Sequence, residues 1–316
     1  MSSIYSFFRT DINPTKVNQF LDHDYHENFG KQWNRFNKLQ LDSYNGSNES
    51  HERILNQSEL DKKFFENKTI LEIGAGNGRF TEQLLNWGAK VVAVDFSSAI
   101  NANFENHKSY VEDGSLICIR GDVFDLPIIE ETFDIVFCYG VIQHTGNNKK
   151  CLNQLAKYVA PGGSLLVDIY SNSFKHINPW IYLIRPFFSL IRNEDKKINF
   201  VESFVNFVFP LQCKFLKFLH NKNGVYKILR YFINRSPNSV YGINLYLDSK
   251  ISLENARNWS ICDTYDAWSP KHDHPVSFRK WTNLILSLKN FKVEVNKSCG
   301  QGWCARLIKT TSNSSS

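Results

Sequence analysis

Glu72, Gly74, Gly76 and Gly78 alternate through the run Leu71-Glu72-Ile73-Gly74-Ala75-Gly76-Asn77-Gly78, and an acid, Asp95, follows about 20 residues later. Glycines in such a loop let the backbone pass close to a ligand and take torsions closed to other residues. The G-x-G-x-G spacing differs from the G-x-G-x-x-G of dinucleotide loops, where a diphosphate rests on a helix N-terminus. Glu72 sharpens that difference, because a carboxylate beside the glycines repels a diphosphate and attracts an ammonium or a sulfonium ion. Asp95 closes a strand-like run, where its carboxylate can accept both hydroxyls of a ribose through charge-assisted bonds. Gly121-Asp122-Val123 places a further side-chain acceptor and a backbone amide one strand beyond.

Positioning these residues requires a parallel sheet. Thr69 to Ile73, Lys90 to Asp95, Leu116 to Arg120, Phe133 to Cys138 and Gly163 to Ile169 are short apolar, β-branched runs separated by amphipathic stretches. Runs apolar on both faces and joined by helical segments are buried parallel strands with crossover helices. The expectation is a doubly wound α/β sheet. Two last strands, Phe291 to Val295 and Trp303 to Ile308, follow a helix over Val276 to Leu288. Between the fifth and sixth strands lie roughly 100 residues where a short connection would suffice, an insertion and not a separate linker-bounded domain.

The chain has 316 residues, with 42% hydrophobic and 22% charged, which fits an ordinary globular protein and excludes extended disorder outside the tail from Thr310. Seven cysteines without framework spacing are expected to be reduced, which points to a cytosolic compartment. No signal peptide is visible at the N-terminus, and no uninterrupted apolar stretch of about 18 residues is present. The net charge of +6 is uneven. Eleven basic residues stand against three acids between Ser171 and Arg235, so the basicity belongs to the insertion.

The ordered set Glu72, Gly74 to Gly78, Asp95, Asp122 and the run Phe133 to Phe137 resembles the class I S-adenosylmethionine-dependent methyltransferases, closely over residues 68 to 171 and loosely at the final strand pair. The resemblance implies a seven-stranded Rossmann-like sheet of order 3-2-1-4-5-7-6, its seventh strand antiparallel. It implies S-adenosylmethionine as cofactor, with S-adenosylhomocysteine as product. Glu72, Gly74, Ala75, Gly76 and Gly78 would cradle the methionyl part and Asp95 the ribose. Phe96 and Val123 would face the adenine, Asp122 would bind its exocyclic amine, and Tyr139 completes the cofactor set. A bland reading stands beside this one, in which Asp95 and Asp122 merely cap helices. A narrower resemblance at Phe29 to Phe36, Gln40 to Ser43 and Asp263 to Pro270 is to bacterial type 11, UbiE-like methyltransferases associated with surface-polysaccharide or natural-product pathways.

Methyl transfer from a sulfonium is an in-line displacement that needs alignment, no metal and, for a hydroxyl acceptor, a base. His144, in the loop after the fourth strand, is the candidate base; the alternative is a histidine that only hydrogen-bonds its loop. Asp263, Asp266, His272 and His274 precede the last helix and are candidate substrate contacts, with a metal site the weaker reading. Phe29, Trp33 and Phe36 share one helical face, giving either a lid of residues 1 to 60 over the cofactor or a helix buried on the sheet. In the insertion, residues 172 to 270, Phe200, Phe204, Phe207, Leu211, Phe215 and Phe218 form an apolar stripe beside Lys214 and Lys217, with Pro210 as a kink. That stripe could pack on the domain's own core, roof the site or form a dimer contact, or lie on a membrane surface. The commitment is a cytoplasmic or membrane-peripheral methyltransferase acting on oxygen of a small or carrier-linked acceptor. RNA methylation and a non-catalytic cofactor-binding scaffold are the alternatives, and no arginine-rich or glycine-aromatic RNA module is visible.

Overall fold

The computed structural model describes residues 4–21, 35–173, 178–270, 272–300 and 302–311. The chain divides into two compact units, one of residues 1–26, 49–177 and 271–316, the other of residues 27–48 and 178–270.

The first unit is built on an eight-stranded sheet. In chain order its first elements are strand β1 (Asn18–Phe20), helix α1 (Glu49–Ser58), β2 (Thr69–Ile73), α2 (Arg79–Asn86), β3 (Lys90–Asp95), α3 (Ala99–Asn106) and α4 (Lys108–Glu112). Then come β4 (Leu116–Gly121), β5 (Phe133–Cys138), α5 (Asn148–Tyr158) and β6 (Val159–Tyr170). The second unit carries α6 (Pro179–Ser189), α7 (Glu194–Leu219), α8 (Val225–Ile233), α9 (Tyr241–Leu247) and α10 (Leu253–Trp268). The chain returns to the first unit with α11 (Phe278–Leu286), β7 (Phe291–Cys299) and β8 (Gly302–Lys309).

The sheet order is β1-β4-β3-β2-β5-β6-β8-β7. From β1 to β6 the pairings are parallel, and β8 runs antiparallel to both β6 and β7. The seven strands from β2 onward thus have the expected order. The eighth is a correction: β1 pairs with β4 through Asn18 and Phe20, so the N-terminal stretch expected to be wholly a helical lid adds an edge strand after a 3-10 turn at Ile4–Phe7. Three residues carry too little periodicity to be read as a strand; pairing with an open edge defines them. Phe29 and Trp33, of the proposed aromatic face, lie outside the described residues.

The central strands are buried on both faces. Val91, Val92, Ala93 and Val94 of β3 are all inaccessible to solvent, as are Ile70 and Leu71 of β2. One core layer places Ile117, Ile119, Val136 and Val167 with Trp281 of α11; the other places Phe65, Leu84 and Val111 against Val91 and Ile135. Side-chain caps set helix starts: Asn147 accepts from the Lys150 amide, and Ser277 from the Lys280 amide.

The second unit has its own core, which includes Ile198, Val201, Val205, Phe209, Ile243, Trp259 and Tyr265. This corrects the expectation of a mere insertion: nearly all of it closes around a separate core, joined by residues 27–48 from between β1 and β2. Helix α7 continues through Pro210 over 26 residues. Most of the phenylalanine stripe does not pack on that core. Phe204 is half-buried with its ring 5.5 Å from that of Trp268, and Phe200, partly exposed, sets its ring 6.4 Å from those of Phe188 and Trp268, whereas Phe207, Leu211, Phe215 and Phe218 are exposed. The core is filled instead from the helix's other side. Among the described residues no helix is long and apolar enough to cross a membrane. All seven cysteines are free thiols.

Trp281 is a fully buried indole joining α11 to the sheet. Trp281→Ala is expected to lower unfolding stability by about 3–5 kcal/mol, read as a fall in the urea midpoint at unchanged slope.

Candidate cofactor and acceptor site

The loop after β2 turns through Gly74, Gly76 and Gly78, whose φ angles are +77°, +54° and +96°. Side chains rarely adopt that region. The Gly74 and Ala75 amides donate to the Val94 carbonyl at 2.8 and 3.0 Å. The Gly76 amide donates to Asp95 Oδ2 at 2.8 Å, which ties the loop to the end of β3. A Cβ on Gly74 would stand 2.0 Å from Val141 Cγ2, in the loop that follows β5. One on Gly78 would stand 2.5 Å from His107 Cε1 and 2.6 Å from Asn103 Oδ1. A Cβ on Gly76 would meet nothing within 4 Å. Gly74 and Gly78 are therefore needed by packing inside the protein, while Gly76 borders open space in which a ligand can approach the backbone.

Glu72 lies under this loop and is 1% exposed. Its Oε2 accepts from Thr81 Oγ1 at 2.6 Å, and its Oε1 has no hydrogen-bond partner. Burial, assisted by the neighbouring Asp95 charge, pushes its pKa up to about 8. The line of contacts continues: Asn103 Nδ2 donates to Thr81 Oγ1 at 2.8 Å, and His107 Nδ1 lies 2.9 Å from Asn103 Oδ1. Burial holds the His107 pKa down at about 4, so that imidazole is neutral. Its Nδ1 also faces the Asn103 carbonyl at 3.0 Å, and since both oxygens accept, Nδ1 carries the proton.

Asp95 is half-buried, and burial raises its pKa. Its Oδ1 accepts from the Ser97 amide at 2.8 Å and the Ser97 hydroxyl at 2.6 Å. A carboxylate offers about four acceptor sites, so these bonds and that of Gly76 leave Asp95 about one more. Gripping both hydroxyls of a ribose therefore requires Ser97 Oγ to turn away. Asp122 Oδ1 accepts from the Phe124 amide at 3.0 Å, forming a turn and not a helix cap. Phe96 is half-buried, Val123 and Tyr139 are buried, and the Tyr139 hydroxyl has no hydrogen-bond partner.

His144 ends a 3-10 turn, Ile142–His144, after β5. Its Nδ1 lies 2.9 Å from the His272 carbonyl oxygen. A carbonyl only accepts, so Nδ1 donates and the lone pair of the neutral ring sits on Nε2. The segment from His272 is stitched to this loop: the His274 amide donates to the Gln143 carbonyl and Asn148 Nδ2 to the His274 carbonyl, both at 2.9 Å. The rings of His272 and His274 stack at 6.0 Å. The fold thus brings together His144 and His272, which are 128 residues apart in sequence. Asp263 and Asp266 belong to α10 of the second unit, where Asp263 Oδ2 accepts from Ser239 Oγ at 3.2 Å. Among the described residues no group of three or more His, Cys, Asp or Glu gathers in the manner of a metal site.

One pair was not anticipated. Arg53 of α1 meets Asp168 of β6 at 2.7 Å, and the other oxygen of Asp168 accepts from the Gly140 amide, the first residue after Tyr139 in the loop that follows β5. Arg53 also lies 5.4 Å from the Phe80 ring centroid. The available signal was an acid inside the otherwise apolar run Leu165-Leu166-Val167-Asp168-Ile169. Nothing local identified Arg53 as its partner.

Between pH 4.5 and about 8 the folded protein keeps a proton on Glu72 that the unfolded chain has released. The folded state binds more protons there, so stability falls as pH rises through that window. Thermal unfolding at the two ends of the window should show this fall in the wild type and a flatter dependence in Glu72→Gln.

A family profile described as "Methyltransferase domain" matches residues 71–167. A phosphoethanolamine N-methyltransferase of Triticum aestivum is 28% identical over 135 residues, covering 40% of this chain and 27% of its own. A mitochondrial ubiquinone biosynthesis O-methyltransferase of Schizosaccharomyces pombe is 30% identical over 167 residues, covering 50% of this chain and 60% of its own. A tRNA U34 carboxymethyltransferase of Nautilia profundicola is 29% identical over 104 residues, covering 33% of this chain and 34% of its own. The chain thus spans 27% to 60% of the length of these relatives, whose names include amine, oxygen and tRNA acceptors. The glycine loop clamped to Asp95 and the buried acid beneath it fall within the matched span, so residues 71–167 carry the methyltransferase domain that the profile describes.

Proposed function

We propose that this protein transfers a methyl group from S-adenosylmethionine to an oxygen of a small or carrier-linked acceptor. The buried, unpartnered Oε1 of Glu72 and the open space beside Gly76 fit the cofactor, because its methionyl part brings an ammonium group and needs close backbone approach. When bound, the cofactor supplies an electrophilic methyl on a sulfonium. Glu72 holds the ammonium, the loop of Gly74, Ala75, Gly76 and Gly78 surrounds the methionyl chain, and Asp95 takes the ribose. Phe96, Asp122, Val123 and Tyr139 form the remainder of the cofactor site.

The single observation behind an oxygen acceptor is the tautomer of His144. With Nδ1 donating to the His272 carbonyl, Nε2 is the basic atom, and it takes the proton from an acceptor hydroxyl as the oxygen attacks. The imidazolium keeps its Nδ1 hydrogen bond, so the ring need not turn during the transfer. His272 is an acceptor-side residue in the same reading.

Calorimetric titration with S-adenosylmethionine tests the cofactor assignment, and the absence of binding rejects it. Gly76→Ala should cost about 1–2 kcal/mol of stability for a side chain at positive φ, and should weaken cofactor binding more than it weakens the fold. His144→Ala should lower kcat about 10²- to 10⁴-fold with cofactor affinity unchanged. Parallel losses in both would make His144 a binding residue. Mass spectrometry of the methylated product identifies the acceptor atom.

A further inference from the structure

Helix α7 is apolar on two sides. Ile198, Val201, Val205, Phe209, Leu216 and Leu219 face the core of the second unit. Phe207, Leu211, Phe215 and Phe218, spaced four, four and three residues apart, form a separate line that is open to solvent, with Phe207 86% exposed. Helix α8 follows the same logic with a weaker core side: none of its residues is fully buried, and Ile233 at its end packs against the core. Val225, Ile228, Leu229 and Phe232 occupy positions i, i+3, i+4 and i+7 and are all exposed, while Lys227 and Arg230 lie on the other side. The two helices meet where the Phe218 and Tyr226 rings stand 6.3 Å apart, with Lys222 Nζ 3.4 Å from the Phe218 centroid.

An apolar surface of this kind requires a cover. Charge says which one. From Ser203 to Leu247 there are six Lys and Arg and no Asp or Glu. Of the three acids between Asn193 and Ser203, Glu194 pairs with Lys197 at 2.8 Å and Glu202 with Arg35. A two-fold dimer through this surface would set that positive charge against itself. Lysine is also depleted in the cores of protein interfaces. Aromatic and aliphatic side chains bordered by lysine and arginine are instead the composition of helices that lie in the headgroup region of anionic bilayers.

We propose that α7 and α8 form a docking surface for an anionic membrane, with Phe207, Leu211, Leu229 and Phe232 entering the acyl boundary and Lys214 and Lys222, at its border, meeting lipid phosphates. This surface does not depend on the methyl-transfer reading, and cofactor titration fails or succeeds independently of it.

The test is sedimentation of the full chain with vesicles of phosphatidylcholine, alone or with phosphatidylglycerol at about a three-to-one ratio. Binding to the anionic vesicles should exceed binding to the neutral ones at least about tenfold and weaken with added salt. The pair Leu229→Asp and Phe232→Asp should reduce it by about tenfold or more, as should the pair Lys214→Glu and Lys222→Glu, with melting temperatures unchanged because all four residues lie outside any core. If a variant melts early, the wild-type comparison of the two vesicle types still decides. Equal binding to both vesicles, or none to either, overturns the proposal. So does a dimer in light scattering that the same substitutions dissociate.

Discussion

The hydrogen bond from the Gly76 amide to Asp95 is the constraint on which the candidate site depends. It joins the turn after one buried strand to the acid that ends the next, so two loops remote in sequence become one wall. The Val94 carbonyl reinforces the joint by accepting from Gly74 and Ala75. Val141 closes it from the third side, standing where any side chain on Gly74 would have to be. The strands β3, β2 and β5 lie next to one another in the sheet, and their carboxyl ends share one edge. Rigid strands place these loop ends, and the loops carry the polar groups.

Electrostatics then divides the labour. Glu72 is buried with one carboxyl oxygen unmatched, so the protein alone favours its neutral form and an arriving cation favours the charged one. Asp95 is already engaged by Ser97 and Gly76 and so serves as a strut as well as a ligand. Arg53 and Asp168 perform a related task at the far side of β5, where a largely buried carboxylate is neutralised and holds the backbone at Gly140. Asp95 and Asp168 thus each organise a loop end through a backbone amide.

The second unit follows a different balance. Its core takes one side of α7 and leaves another apolar line, together with a whole face of α8, unburied among positive charges. Burial of apolar area drives folding in proportion to that area, and these helices leave much of theirs outside. Stability of the unit alone gives no account of those side chains, whereas binding to an anionic apolar surface does.

The sequence by itself determined the central strands, and their order was what the family resemblance implied. The spans Thr69 to Ile73, Lys90 to Asp95 and Phe133 to Cys138 coincide with β2, β3 and β5 because buried parallel strands must be apolar on both faces, a pattern no helix of that length shares. It also determined the glycine loop and its acids, since positive φ angles and an acid beside them are written in residue types. Tertiary structure decided what depends on distance. Whether His144 has its lone pair on Nε2 is set by a carbonyl 128 positions away. Arg53 and Asp168 find one another across 115 positions, and β1 exists only because β4 offers it an edge. The same holds for the phenylalanine stripe: spacing showed that its members share a line along α7, but which of that helix's two apolar sides enters the core depends on the neighbours that pack against it.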